Sequence, residues 1–555
     1  QVRQMLRLQF CLVILGFNLF ITVAAFHFSR IKEANILSKT RRFSLALQSA
    51  LKTDEISIKN TMICPTVVIG SGPAGLATAL MLARQGIVGI KLFDQLSAPP
   101  KPDNISYWGN YEGERSYLIG LNGKGQRALQ ELGVMDRILN YSTVLNGAIS
   151  WDPNSPIDKP VERDFIAMGK KYRTVCLERD RISACLLAEL EEKFPDAVQI
   201  QFNVNCTEIA WQSGALCEVH LSDPERGNYS VTAGLLVGAD GTNSVVRDSM
   251  LELSAASKGT KRQFPFYVRR FEDKNVRYYR TIPLYLPIEP EHKTTFHWKL
   301  NMSYSARVAS EVNLEALPGG WMGPTDGLST YLAVILFRPW DTRLTDMRTS
   351  DDARAFFAEL FPAFVPCLRD ADLERFAQKK DRKFPRFMFA GPSLHCGHAD
   401  TNSGSSAVLV GDSAHTVKPF FGLGVNSAFE DVAALGLALN RTNGLLAPAL
   451  AEYSLLRAKE ARALVQLSRV FDGSLVRFVL PLIVDSFCHR MLPSVFSPPT
   501  ISLMQNEKFT YTMVQRRKAW ERVLQGGLFA GFLSGFAVAV KLALRVIRTR
   551  FFPII

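Results

Sequence analysis

Three stretches of this chain combine glycines and acids in patterns suited to a large phosphate-bearing ligand. The first is Thr66-Val-Val-Ile-Gly70-Ser-Gly72-Pro-Ala-Gly75, a β-branched run that enters a GxGxxG turn with a helical pattern behind it. Gly70 permits the tight turn, Gly72 lets a pyrophosphate approach the backbone, and Gly75 lets the helix pack on the strand. The start of that helix offers free N–H groups and the positive end of its dipole to phosphates. A second apolar run, Ile90–Phe93, ends in Asp94, 24 residues after Gly70, where an acid takes ribose hydroxyls. An acid there suits FAD or NAD and disfavours a 2′-phosphate.

The second stretch, Leu235-Leu-Val-Gly-Ala-Asp240-Gly241-Thr-Asn-Ser244-Val-Val-Arg247, is an apolar strand ending in Asp-Gly before a helix. Alone it also reads as an ordinary Asp-Gly turn. The third runs from Ala407 to Asp431. A strand ends at Gly411-Asp412, where a carboxylate can accept from ribitol or ribose hydroxyls. Pro419, Gly422 and Gly424 shape a loop whose N–H groups can face a flavin ring, and this loop is the candidate for supporting the reaction. Val425 follows, and a helix starting near Asn426 turns its positive end to the pyrimidine side of that ring. His415 has no ligand cluster around it, and no metal site is expected. Together the stretches predict FAD.

These elements imply an α/β fold: a Rossmann-like FAD-binding domain of the glutathione-reductase type with an inserted mixed β-sheet substrate domain and C-terminal helices. The expected boundaries are an N-terminal apolar and targeting or linker region at 1–60, and a discontinuous FAD-binding domain at 61–260 and 385–445. The inserted sheet is expected at 261–384, a helical region at 446–522, and a membrane-anchoring helix at 523–548. Phe264, Phe266, Tyr267, Tyr278, Tyr279, Phe296 and Trp298 of the insert either line a pocket or, on the plainer reading, pack a core.

The net charge of +13 resembles a nucleic-acid signal until it is located. Residues 1–60 hold nine Lys/Arg and three Asp/Glu, and residues 516–555 hold eight Lys/Arg and one Glu, which accounts for all of it. The middle of the chain is formally neutral, so nucleic acid is not an expected partner. The basic residues flank two uncharged apolar stretches, Leu8–Phe28 and Val523–Val540, which suits anionic lipid surfaces. Leu8–Phe28 reads either as an anchor or as a cleaved signal. The nine cysteines are scattered with no CxxC pair and read as reduced thiols.

The order and spacing of GxGxxG, Asp-Gly and Gly-Asp resemble the class A flavoprotein monooxygenases, the aromatic hydroxylase group. Arg179 and Arg115 match that group's arginines near FAD. Within it, the chain looks most like the kynurenine 3-monooxygenases over about residues 66–540. Pro419-Phe-Phe-Gly-Leu-Gly-Val-Asn-Ser-Ala-Phe-Glu-Asp431 carries the likeness, as do Met491-Leu-Pro-Ser-Val-Phe496 and the apolar tail. The resemblance implies a C-terminal membrane anchor, with the mitochondrial outer membrane as precedent and a plastid membrane as the alternative. It also implies transient reduction of FAD by NADPH or NADH, then transfer of one oxygen atom from a C4a-hydroperoxyflavin to an aromatic or apolar small molecule. Where that family carries its carboxylate-binding arginine this chain has Ala148, and near the family's Asn and Tyr it has Arg457 and Thr500. These departures argue against kynurenine itself and leave Arg457 as a candidate for an acidic substrate. An isoprenoid-reductase-like oxidoreductase and a non-catalytic flavoprotein subunit of a membrane complex are the competing readings.

Overall fold

Parallel strands that end side by side set the architecture. The computed structural model describes residues 65–110, 117–153, 155–167, 172–211, 216–256, 265–287, 296–308, 311–319, 328–397, 405–419, 422–470, 472 and 475–551. Leu8–Phe28, the rest of 1–60, Arg115 and Phe264 lie outside them.

A six-stranded sheet runs in the order His395–Gly397, Ser406–Leu409, Leu235–Gly238, Thr66–Ile69, Ile90–Phe93, Val198–Gln201. All of its pairings are parallel except the outermost one with His395–Gly397. The central strands are short apolar runs buried on both faces, as parallel sheets require. In register, Ile69 lies opposite both Phe93 and Gly238, and Gly238 lies opposite Leu409. The residues that follow these four ends, Gly70, Asp94, Ala239-Asp240 and Val410-Gly411, therefore share one edge. Helices Pro73–Arg84, Arg179–Lys193 and Leu423–Arg441 pack with the sheet in one apolar core.

A second, mixed sheet has seven strands in the order Arg382–Lys383, Tyr278–Pro287, Leu328–Phe337, Asn313–Pro318, Met302–Arg307, Gly147–Trp151, Val161–Asp164. Gly147–Trp151 pairs in parallel with Met302–Arg307, so this sheet extends beyond the expected 261–384 insert. One face holds an aromatic core in which Trp151 meets Phe296 at 5.1 Å, Phe364 at 5.3 Å and Trp298 at 6.0 Å. The pocket-or-core question for the aromatic set thus resolves by residue. Phe296 and Trp298 join this core, Tyr278 stacks on Phe337, Phe266 joins the core of the parallel sheet, and Tyr267 is exposed. Tyr279 faces the other side of the sheet, where it packs against Phe384.

The chain divides into two compact units. The described part of the larger is residues 65–478 and 504–515, and that of the smaller is 479–503 and 516–551. The expected helical region at 446–522 is therefore shared between them. In the smaller unit the buried carboxylate of Asp485 meets Lys518 at 3.2 Å and Arg522 at 2.9 Å, and buried Glu521 meets Lys518 at 2.9 Å and Arg517 at 2.6 Å. Neighbouring bases neutralise both buried acids. The helix Tyr511–Phe551 continues past these pairs through Val523–Val540, long and apolar enough to cross a membrane.

Candidate functional site

Close backbone approach shapes the glycine turn. Gly70 sits at φ 102°, and a Cβ there would stand 2.4 Å from the Ala239 carbonyl oxygen. A Cβ on Gly75 would stand 1.8 Å from the Gly70 carbonyl oxygen, so the helix can approach the turn only without a side chain. Gly72 caps the helix Pro73–Arg84 with extended backbone and no side-chain acceptor, which leaves its first-turn N–H groups free for an anion.

Arg179 stands over this turn. Its Nη2 would lie 3.2 Å from a Cβ on Gly72, and its Nη1 bonds Asp180 at 2.7 Å. Burial opposes the charge of Arg179, but Tyr117, Asp180 and Asp412 outweigh it and raise its pKa. Burial in turn pushes the Tyr117 phenol up to about 12. A positive charge beside free helix N–H groups is the donor set a pyrophosphate needs.

The other two stretches close on the same turn. A Cβ on Gly411 would lie 3.0 Å from that of Ala74, and one on Gly424 would lie 3.7 Å from Asp412 Oδ1. Burial raises the carboxyl pKa of Asp412, with His415 and Arg179 pulling it down. Burial likewise raises that of Asp240, whose Oδ2 accepts from Val246 N–H at 3.2 Å. Its Oδ1 is buried with no hydrogen-bond partner among the described residues. Gly241 follows at φ 76°. Cramped glycines, a poised arginine, desolvated acids and an orphaned acceptor fit a flavin dinucleotide. Asp94 is held at the same edge: Ser71 donates to its Oδ2 through both N–H and hydroxyl, and Leu96 N–H donates to Oδ1.

Two expected residues have internal partners. Arg457, expected to meet an acidic substrate, is buried and donates from Nε to Asp431 Oδ1 at 2.6 Å and from Nη2 to the Ser427 hydroxyl at 2.9 Å. Asp431 Oδ2 also accepts the Gly411 N–H at 2.9 Å and meets His415 Nε2 at 2.7 Å. Arg457 is thus a structural counterion, because a buried carboxylate needs one. Asn426 accepts the Asn122 N–H at 3.0 Å and donates to the carbonyls of Gly120 and Gly422. Its side chain joins helix to strand, which leaves its backbone as the part able to face a flavin. Pro419 is exposed, and Gly422 takes φ 61° to start the helix, with Val425 half-buried behind it. Ala148 lies on the Gly147–Trp151 strand, opposite Ser303 and Arg163.

Sequence reasoning missed Lys418, a buried cation just before the Pro419 loop. It bonds Asp273 and Asp472 at 2.8 Å each and the Asn275 carbonyl at 2.7 Å. Its two acids lie 145 and 54 residues away, so no local pattern marks it.

Burial works against ionisation of Asp431, yet His415, Arg457 and the Gly411 N–H hold its carboxyl below the usual range. Its stabilising contribution is therefore complete above an ordinary aspartate pKa of about 4 and falls away as pH drops through the lower folded value. Asp431→Asn should cost about 3–5 kcal/mol at pH 7, since it removes the nearest counterion of buried Arg457 and leaves only Glu430 at 3.8 Å. Denaturant unfolding should show the gap from the parent protein narrowing below about pH 4.

The FAD binding domain model matches residues 63–355 and 398–468. The chain is 26% identical to kynurenine 3-monooxygenase of Salinispora tropica over 506 residues, covering 87% of this chain and 97% of that one. It is 22% identical to the Sus scrofa kynurenine 3-monooxygenase over 485 residues, covering 86% and 90%. Among solved structures, the tetrameric form of 2-methyl-3-hydroxypyridine-5-carboxylic acid oxygenase shares the fold at TM-score 0.52 and 18% identity, covering 80% of this chain and 98% of that one. P. aeruginosa PqsL, solved with 2-aminobenzoylacetate, does so at TM-score 0.51 and 17% identity, covering 75% and 98%. The chain therefore belongs to the FAD binding domain family of class A flavoprotein monooxygenases and is a FAD-dependent oxidoreductase.

Proposed function

We propose that this chain is a membrane-attached monooxygenase that uses NAD(P)H and O₂ to hydroxylate an aromatic or apolar small molecule other than kynurenine. The observation that carries the reading is the convergence of the three stretches and Arg179 on one sheet edge. Bound FAD would supply acceptance of a hydride from NAD(P)H and the activation of O₂.

The protein's own part is to bind, orient and exclude water. Arg179 and the free N–H groups after Gly72 neutralise the pyrophosphate. Asp94 and Asp412 serve as acceptors for ribose and ribitol hydroxyls. The N–H groups at the start of the helix Leu423–Arg441 would hold the flavin's pyrimidine side. Asp240 Oδ1, a buried acceptor with no described partner, takes a donor from the bound cofactor or its reductant. The seven-stranded sheet roofs the pocket, since reduced flavin reacting in contact with water would release peroxide.

Two residues support a substrate other than kynurenine. Ala148 stands where the resembling family has its carboxylate-binding arginine, and Arg457 is committed to Asp431. The helix through Val523–Val540, with basic residues on both sides, supports membrane attachment, and the family precedent points to the mitochondrial outer membrane.

Anaerobic stopped-flow mixing of the FAD-loaded protein with NADPH or NADH should bleach the flavin, and an aromatic substrate should speed that reduction. A flavin that neither nucleotide reduces would sink the monooxygenase reading. Arg179→Ala should weaken FAD binding about 10–100-fold, the loss of one charged hydrogen-bonding partner, measured by flavin fluorescence on titrating the apoprotein. Ending the chain at Arg522 should move it from the membrane pellet to the supernatant in fractionated cells. Retention in the pellet would show that another segment holds it there.

A further inference from the structure

One buried cation stands where the loop ahead of the helix Leu423–Arg441 begins. The ammonium of Lys418 donates to Asp273 Oδ1 at 2.8 Å, to Asp472 Oδ1 at 2.8 Å and to the Asn275 carbonyl at 2.7 Å, and the side chain is fully buried. The buried ring of Phe387 covers another side, its centroid 5.6 Å from Nζ. An ammonium has three N–H donors, and all three are used. Lys418 therefore has no donor left for a cofactor or a substrate. Burying a cation is costly, and two acids and a carbonyl offset that cost here.

The three partners come from two distant segments. Asp273 and Asn275 lie between the strands Phe266–Arg270 and Tyr278–Pro287, where the chain enters the seven-stranded sheet. Asn275 is itself held there, because its side-chain oxygen accepts from Arg338 just after the strand Leu328–Phe337. Asp472 lies just past the helix Leu446–Val470, whose Arg457 binds Asp431. On the other side of Lys418, Val417 reaches the cofactor edge. A Cβ on Gly424 would stand 3.5 Å from Val417 Cγ2 and 3.7 Å from Asp412 Oδ1. Pro419 follows Lys418. Its ring-locked φ, and the restricted backbone of the residue before it, leave little slack between this tether and the loop. Beyond the loop, Asn426 makes a second tie through the Asn122 N–H and the Gly120 carbonyl.

We propose that Lys418 is a positioning residue. It fixes the start of this loop against the entry to the seven-stranded sheet and the end of the helix Leu446–Val470, and so sets where the helix Leu423–Arg441 meets the flavin. The proposal rests on the reading above that the N–H groups of this helix start hold the flavin's pyrimidine side. A charged tether suits the task better than apolar packing, because hydrogen bonds are directional and apolar contact is not. Without Lys418, two acids would face each other in a buried place, and like charges would push their segments apart.

Absorption spectra of the FAD-loaded full-length protein test this, since the long-wavelength flavin band responds to the groups around the ring. Lys418→Met should shift that band while changing FAD affinity less than about tenfold, because the pyrophosphate is held elsewhere. Arg280→Met is the matched control. Arg280 is a buried cation that donates to Asp381 at 2.6 Å and to the Phe376 carbonyl, and none of its described partners belongs to the loop. Its loss should lower the melting temperature, as Lys418→Met does, and leave the flavin band in place. Gly422→Ala tests the underlying reading, because at φ 61° its Cβ would stand 2.9 Å from the Gly120 carbonyl oxygen, and it should shift the band. A shift with Gly422→Ala but none with Lys418→Met overturns the positioning role alone. No shift with either overturns the placing of the helix start at the flavin as well. An equal shift with Arg280→Met makes Lys418 a contributor to stability only and overturns its assignment. If Lys418→Met does not fold, Asp472→Asn decides: a smaller shift supports the role and an unchanged band overturns it. None of these spectra uses NADPH, so the monooxygenase reading stands or falls apart from them.

Discussion

A single buried carboxylate, that of Asp431, joins the parts of the cofactor edge. It accepts the N–H of Gly411 at the end of a sheet strand, touches His415 beyond the turn, and answers Arg457 on the next helix. Turn, strand and two helices are thereby fixed by one ionised group that water does not reach. In a medium of low dielectric such a contact is strong when complete and costly when any member is missing. The neighbouring acid, Asp412, lies on the same turn, half-buried and close to Gly424.

The cofactor half of the molecule was legible because its signals are local. A β-branched run, a glycine turn and a helix follow one another from Thr66 to Arg84, and Gly70 and Gly75 each answer a backbone contact that forbids a Cβ. The strand ends then meet because parallel pairing sets their register, which follows once the strands are recognised. Side-chain partners were less legible. Arg457 reads in sequence as a basic residue on a helix, and only packing shows that Asp431 is its counterion. Asn426 reads as a cofactor residue because it stands at a helix start, yet its amide is taken up by backbone groups of a strand some 300 positions earlier. Lys418 was invisible for the same reason, since both its acids come from distant segments.

The second sheet shows a different limit. Its aromatic residues announced a hydrophobic layer but not which side of the strands it would occupy. Alternation assigns sides only after the register is known, and the register includes two strands, Gly147–Trp151 and Val161–Asp164, that lie far from the rest in sequence. Once they are in place, Trp298 and Phe296 fall on the packed side with Trp151, and Tyr279 and Glu315 on the other. Fold membership alone leaves that second side open, because similar sheets serve proteins with different substrates.

The order in which the chain builds its two units has a consequence for how it is made. Residues 504–515 return to the larger unit between two pieces of the smaller one. In that short return, the carbonyl of Phe509 accepts from Lys124 at 2.7 Å and the N–H of Thr512 donates to Glu460 at 3.1 Å. The larger unit therefore lacks these partners until residues 504–515 have left the ribosome. A cut within residues 479–503 would leave those partners on the far side of the break.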